Sequence, residues 1–421
     1  MIRLARKFIR HARLHGVGSA LSVSRRHLTG SVAPDPVAAS DTGISPRPAP
    51  ASARRKSDVI GFYENIFGFA HGADDDPDLT DAGRDTLQWV IPNFGFGSGG
   101  HQTIFRFVNL LAERGVKQNV VILPPHNWRN GATAKRAIRE WYFEIDADIT
   151  LGIEGFRPAF STIATGWQTA YWVAKYQATR QRFYFVQDFE PAFYSVSSEY
   201  YLAENTYRLG LRGITAGTWL SGKLHSDYGM KCDAFSFSYD RKLYVRQPKQ
   251  PTPDFNIMFY ARHGTKRRLF ELGLCALKQV CDQHPEVVVT FFGGDVGGYD
   301  IPFRHVNAAE LPIPQLPALY SQSDLGLLLS GTNLSLIPLE AAACLCPVVM
   351  NDTPSARWLL PESAAYYAPM DPDGMAATIL GAISDEKGRN ARAQAAQRIA
   401  EASSWQDEGD RMFRLISGNG E

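Results

Sequence analysis

Four groups of residues in this chain have types and spacings suited to chemistry. Glu340 stands where a loop of small and polar residues, Ser330 to Leu339, gives way to Ala341-Ala342-Ala343 and then to the apolar run Pro347-Val348-Val349. Loop, acid opening a small-residue helix, then strand is the order in which an open α/β sheet presents a ligand site at its carboxyl edge. The alternative is an acid that only favours the helix dipole. Arg262, Lys266 and Arg267, with Arg268 beside them, follow the apolar run Asn256–Ala261 and are suited to neutralising a phosphate leaving group, or to simple solvation. The loop Asn93–Gln102 holds Gly95, Gly97, Gly99 and Gly100 ahead of His101. Its glycines let the backbone approach a diphosphate, and the following helix start offers N–H groups to it. Asp188 and Glu190 lie past another strand among Phe189, Phe193 and Tyr194, which suits sugar hydroxyls and ring faces, or a turn packed on aromatic core.

The elements that must position these groups alternate as βαβ units. Strands are expected at Leu87–Pro92, Asn119–Leu123, Ile163–Thr165, Phe183–Val186 and Gly213–Ala216, with helices at Thr103–Arg114, Gln168–Tyr176 and Trp219–Tyr228. A second series follows the proline- and charge-rich stretch 246–254. Its strands are expected at Asn256–Ala261, Val287–Phe292, Leu325–Leu329 and Pro347–Met350, with a helix from about Leu269 to Cys281. Gly95, Gly97 and Gly100 satisfy Gly-x-Gly-x-x-Gly, yet no acid ends the second strand where a ribose-binding carboxylate of a nicotinamide enzyme belongs, which disfavours an NAD-dependent oxidoreductase.

Composition sets the class. A 421-residue chain that is 44% hydrophobic and 12% aromatic can hold two domains, and a net charge of +1 argues against a nucleic-acid partner. The five cysteines lack metal-site spacing and read as reduced thiols of a cytoplasmic protein. Residues 1–33 contain no acid but carry Arg3, Arg6, Lys7, Arg10, Arg13, Arg25 and Arg26. Peripheral membrane contact through residues 1–30 at the inner face of the cell membrane, a transit peptide and an inert tail are the three readings of that pattern. A Pro/Ala/Ser stretch and the acidic run Asp74–Asp85 then read as flexible linker, and Asp146-Ala-Asp148 as a solvated charged stretch. The resulting division is a basic amphipathic segment 1–31, a linker 32–84, one α/β domain 85–248, a second 249–402, and a terminal helix 403–421.

The strand-Arg-x-x-x-Lys/Arg element and the Leu319-Tyr320-x-x-Ser323-Asp324-Leu325 run into Pro338-Leu339-Glu340-Ala341 resemble GT-B glycosyltransferases of the retaining family 4 type. The phrases Phe185–Pro191 and Phe259–Arg262, with Gly99-Gly100-His101-Gln102, are similar to the WsaF and rhamnan-synthesis family. That resemblance implies two Rossmann-like domains facing across a cleft, a nucleotide-sugar donor of the dTDP-L-rhamnose type, a glycan or polysaccharide acceptor, and no metal or other cofactor. It gives Glu340 the nucleotide ribose, and Arg262 with Lys266 or Arg267 the diphosphate. It gives the backbone at Gly99, Gly100, Gln102 and at Asn333, Ser335 and Leu336 the donor, and Asp188, Glu190 and His101 the acceptor side, with Asp188 also a catalytic candidate. The terminal helix is expected to cross back onto the first domain. One departure stands out: the first of the family's two glutamates falls at Thr332. A non-catalytic sugar-nucleotide or glycan-binding protein on the same scaffold is the alternative that this departure leaves open.

Overall fold

The computed structural model describes residues 59–67 and 82–418; the basic segment and most of the acidic run lie outside them. In the first domain β1 (Thr86–Ile91), α2 (Gly99–Ala112, after α1, Val59–Phe67), β2 (Lys117–Ile122), α3 (Gly131–Trp141), β3 (Asp148–Leu151), β4 (Ala159–Ala164), α4 (Trp167–Lys175), β5 (Thr179–Val186), α5 (Ser198–Asn205), β6 (Arg212–Ala216), α6 (Thr218–Tyr228) and β7 (Cys232–Phe235) follow one another. The second contains β8 (Phe255–Tyr260), α7 (Phe270–Gln283), β9 (Val287–Phe292), β10 (His305–Ala309), α8 (Leu316–Gln322), β11 (Leu325–Leu328), α9 (Ile337–Ala343), β12 (Val348–Asn351), α10 (Pro354–Arg357), β13 (Tyr366–Ala368), α11 (Pro372–Ser384) and α12 (Glu386–Ala402), and the described chain closes with α13 (Trp405–Ile416).

Both sheets are wholly parallel. Their orders, β3-β2-β1-β4-β5-β6-β7 and β10-β9-β8-β11-β12-β13, are the same doubly wound pattern with one extra strand in the first. Parallel sheets must be covered on both faces, and the central strands accordingly read as apolar runs: Trp89, Val90 and Ile91 in β1 and Ile257, Met258 and Phe259 in β8 are fully buried. The chain order reverses between β1 and β4 and between β8 and β11, so each sheet opens a crevice at its carboxyl edge there. All four groups of candidate residues sit on loops or helix starts that leave those edges.

Several elements depart from expectation. The segment expected as linker holds α1, whose Ile66, Tyr63 and Phe67 pack with Trp167 and Tyr171 of α4 and with Ala203 of α5. Asp148 begins β3, a short edge strand paired with β2, and its side chain meets Arg157 at 2.6 Å on the surface. The acid at 148 is thus solvated as read, within a strand that its charge concealed. The exposed strand β10 and the three-residue β13 were likewise not anticipated.

The last helix, α13, packs on elements of the first sheet's domain. Trp405 meets Phe107 edge-on at 5.9 Å between ring centroids, and Arg106 lies over its ring at 4.9 Å. Arg114 reaches Asp410 at 2.6 Å, and Ser161 Oγ donates to the Ile416 carbonyl at 2.7 Å. The chain therefore crosses between domains twice, and the crossings are bonded together. Arg241 Nη2 donates to the carbonyls of Glu401 and Ser403, each at 2.6 Å, and Ser403 Oγ donates to Ser238 Oγ at 2.8 Å.

Candidate functional site

A cavity of about 350 Å³ lies between the carboxyl edges of the two sheets, bounded by Gly100 and His101, Asp188 and Glu190, Arg267 and Asn333 among others. A larger one, about 590 Å³, opens at the opposite edge of the first sheet around Lys117, Lys135 and Arg157. None of the predicted site residues lines it, and open parallel sheets bind ligands at the carboxyl edge, so the smaller cavity is the candidate site.

On the first domain, α2 begins four residues earlier than expected, at Gly99, because Ser98 Oγ caps it by accepting from the His101 N–H. The glycine loop is correspondingly short. Gly97 takes φ +74°, a left-handed turn that a glycine supplies without strain. Gly100 sits beside Gln187, whose Nε2 donates to the Gly100 carbonyl at 3.0 Å; a side chain added there would press on that amide at 3.4 Å. His101 Nδ1 is 2.8 Å from Ser98 Oγ, and the ring packs near Phe94 and Phe105. Burial pushes its pKa down to about 4, so it faces the cavity as a neutral hydrogen-bonding group rather than as a cation for a phosphate.

Glu190 and Asp188 are both buried and both occupied. Glu190 Oε2 accepts from the Trp167 N–H at 2.8 Å and Oε1 from Tyr184 at 2.7 Å, while its own N–H donates to Tyr207. The residue before Trp167 is Gly166, which has no side chain to cap α4, and Glu190 performs that task from a neighbouring loop. Burial raises its pKa to about 7 against the pull of these donors. Asp188 reaches across the cleft. Its Oδ2 accepts from Thr332 Oγ1 at 2.8 Å and its Oδ1 from the Asn333 N–H at 3.1 Å, and Arg267 Nε lies 3.8 Å from Oδ2. Asn333 Nδ2 returns a bond to the Gln187 carbonyl at 3.0 Å. Burial lifts the Asp188 pKa, outweighing the opposing pull of Arg267, Thr332, Arg268 and Asn333.

On the second domain the loop after β11 is braced internally. Asn351 accepts from the Ser330 N–H, Ser330 Oγ donates to the Asn333 carbonyl, and Ser335 adopts φ +61° with its N–H bonded to Asn333 Oδ1. Three guanidiniums gather beside it. Arg268 Nη1 donates to the Asn333 carbonyl at 2.9 Å, Arg262 Nη1 to Tyr260 at 3.4 Å, and Arg267 lies 4.2 Å over the Phe193 ring of the first domain. Burial, reinforced by Arg268 and Arg262, lowers the Arg267 pKa from its ordinary value, and Asp188 opposes the shift. The Nε atoms of Arg267 and Arg268 are buried without a hydrogen-bond partner. Lys266 instead points outward, heavily exposed and paired with Glu271 at 2.6 Å.

Glu340 does not open its helix. The helix α9 starts at Ile337 with Pro338 in its first turn, which places Glu340 fourth. It is buried, outside the lining of the cavity, with Tyr320 Oη 3.4 Å from Oε2. Burial pushes its pKa up to about 7, against hydrogen bonds from Tyr244 and Tyr320 and the charge of Arg106. A carboxyl whose folded pKa is raised keeps its proton in the native state after the unfolded chain has lost it. Its contribution to stability therefore falls as pH climbs from the ordinary glutamate value to about 7 and is flat beyond. Glu340→Gln is expected to gain on the wild type by about 2–3 kcal/mol between pH 4.5 and pH 8. Denaturant midpoints of both proteins across that range measure it, and a pH-independent difference would show the carboxyl to be ordinary.

Of the predicted residues, Asp188, Glu190, His101, Gly100, Arg267, Asn333 and Ser335 line one cavity. Arg262, Lys266, Gly99, Gln102, Leu336 and Glu340 do not. Arg268, noted in the sequence only as a neighbour in a basic turn, also lines the cavity, and so does Gln187, an amide that becomes informative only once Gly100 and Asn333 are seen on either side of it. Among the described residues no group of three or more His, Cys, Asp or Glu side chains is gathered as for a metal ion, and no helix is long and apolar enough to cross a membrane.

Comparison with known proteins agrees with this architecture. The model of the WsaF N-terminal domain matches residues 157–216, and that of the WsaF C-terminal domain residues 255–380. The chain is 34% identical over 353 residues to the O-antigen biosynthesis protein RfbC of Myxococcus xanthus, a match that covers 80% of this chain but 27% of that longer protein. Among solved structures, Anabaena HepE in complex with UDP and glucose superposes with a TM-score of 0.62 at 15% identity, covering 79% of this chain and 99% of HepE. Sucrose-phosphate synthase of Thermosynechococcus elongatus does so with 0.60 at 12% identity, over 79% and 99%. At such identities the structural likeness establishes the fold, two domains of GT-B type.

Proposed function

The chain is WsaF-like and of GT-B fold, and from that premise we propose that it is a glycosyltransferase of O-antigen or lipopolysaccharide-type polysaccharide assembly. The finer reading is transfer of L-rhamnose from dTDP-L-rhamnose, with retention, onto a growing glycan. The observation that carries the transferase reading is the arginine group at the second switch point. Arg262, Arg267 and Arg268 gather beside the braced loop 330–336, two of them with unpartnered buried Nε atoms, opposite the start of α2. Asp188 faces Arg267 and Arg268, with Arg262 acting on Arg267 in turn, and a diphosphate supplies negative charge to this group.

In the proposed reaction an acceptor hydroxyl attacks the anomeric carbon on the face from which the diphosphate leaves. The new C–O bond forms as the bond to the phosphate oxygen breaks, and a donor phosphate oxygen takes the hydroxyl proton. The arginines stabilise the charge that develops on the departing diphosphate, without a side-chain nucleophile or a metal ion. Neutral His101 is suited to an uncharged hydroxyl of either sugar. The proposed place of action is the inner face of the cell membrane, which the acid-free segment 1–33 suits.

A second reading, a binding protein without transfer, draws on Thr332 in place of an acid. A thermal-shift panel of dTDP- and UDP-sugars, followed by transfer assays with those that bind, tests both. UDP donors belong in it because the structural neighbour HepE is seen with UDP and glucose. A ligand at 100 times its Kd adds about 2.7 kcal/mol, enough to read. Stabilisation by dTDP-rhamnose with a glycosylated product supports the first reading, binding without product supports the second, and binding of no nucleotide sugar removes the transferase and leaves of the second only a glycan-binding protein.

A further inference from the structure

The donors that hold Asp188 are those a phosphate group would use. A hydroxyl (Thr332 Oγ1), a backbone N–H (Asn333) and a guanidinium (Arg267) converge on its two oxygens from the other domain. Carboxylate and phosphate oxygens are interchangeable acceptors for such a set. The fit to Asp188 is also incomplete. Arg267 Nε stands at 3.8 Å from the carboxylate and, like Arg268 Nε, has no hydrogen-bond partner, so a resident anion of one charge leaves part of the nest unfilled.

The same contacts join the domains. Asp188 and Gln187 leave the end of β5, Thr332 and Asn333 lie in the loop after β11, and three hydrogen bonds run between them. Phe193 under Arg267 adds a fourth contact from the same loop of the first domain. Removing Asp188 from the nest would cut two of the three bonds.

We propose that Asp188 is a built-in counter-anion and interdomain latch: it occupies the phosphate nest of Thr332, Asn333 and Arg267 in the ligand-free protein, and the donor diphosphate takes its place. The proposal rests on the transferase reading for the identity of the incoming anion. Donor binding and release of the latch are then one event, so the cleft loosens as the donor enters. Asp188 acts by vacating a site rather than by touching the reacting atoms.

The test uses the full chain and inorganic pyrophosphate as the probe. In calorimetric titrations Asp188→Asn is expected to bind pyrophosphate on the order of tenfold more tightly than wild type, because the competitor has lost its charge. The gain disappears in Asp188→Asn/Arg267→Gln. Small-angle scattering separates displacement from a mere change in local charge: ligand-free Asp188→Asn is expected to show the larger radius of gyration that wild type reaches only with saturating pyrophosphate. Equal or weaker binding by Asp188→Asn, a gain that survives loss of Arg267, or an unchanged radius in both cases would overturn the latch. Failure of the wider reading looks different, since tighter pyrophosphate binding with no transfer from any nucleotide sugar keeps the latch and removes the transferase.

Discussion

Arg267→Gln is expected to lower kcat/KM for sugar transfer by about 10²- to 10³-fold, with most of the loss in kcat. The guanidinium is shielded by Phe193 and faces the cavity, where a charge on the leaving diphosphate would be poorly solvated by water and strongly felt by a fixed cation. Its electrostatic service is greatest when the bond to the sugar is breaking, which is why kcat should fall further than donor affinity. Initial rates with the donor identified by the nucleotide-sugar panel provide the measurement, with circular dichroism to confirm the fold. A variant within threefold of wild-type kcat would move the phosphate site away from Arg267. Lys266→Ala is a fitting comparison, since Lys266 is engaged with Glu271 outside the cavity.

Ending the chain after Ser403 is expected to abolish the native first domain. The last helix buries Trp405, Met412, Leu415 and Ile416, and these belong to the same core as Phe107, Phe185 and Phe235. At about 1.5–3 kcal/mol for each buried large side chain, losing four of them removes on the order of 6–12 kcal/mol. Whole domains are stable by about 5–15 kcal/mol, so little or nothing remains. The peripheral pair Arg114–Asp410 adds little to that loss, because Asp410 is largely exposed. Soluble yield and thermal unfolding of the truncated chain give the answer, and Met412→Asp is a milder version that keeps the backbone. Wild-type melting of the shortened protein would mean that the helix is only an appendage.

Much of the fold was legible because its central strands are buried on both faces. The runs that became β1, β5, β8, β9, β11 and β12 are apolar enough to be read without their neighbours, and turn residues mark their ends. Edge elements were not, for the opposite reason: β3 and β10 are four and five residues long, with every residue exposed or half-buried, and carry no continuous apolar run. The helix α1 escaped because its partner, α4, lies about a hundred residues downstream, and an isolated nine-residue helix carries little signal of its own.

The site was legible in outline and not in detail. Residue types fixed which loops carry chemistry, and the parallel topology then gathered those loops at one edge. What sequence withheld was occupancy. Glu190 looks like a free acid until Gly166 is found beneath it, a helix start without a cap. Asp188 looks like an acceptor residue until Thr332, 144 positions away, is seen bonded to it. Glu340 looks like the opening of a helix until Pro338 shifts that opening back to Ile337 and two tyrosines close over the carboxyl. Long-range hydrogen bonds of this kind leave no periodic trace in a single chain.

The paired crossings between the domains have a mechanical consequence. A body attached to another at one point can swivel in any direction, whereas one attached by two neighbouring strands, themselves stitched together by Arg241 and by Ser238 with Ser403, behaves as a door on a common pin. Sliding one half past the other would shear those stitches, while turning about them leaves them whole. Turning about that pin is the movement of the two walls that leaves these bonds unbroken.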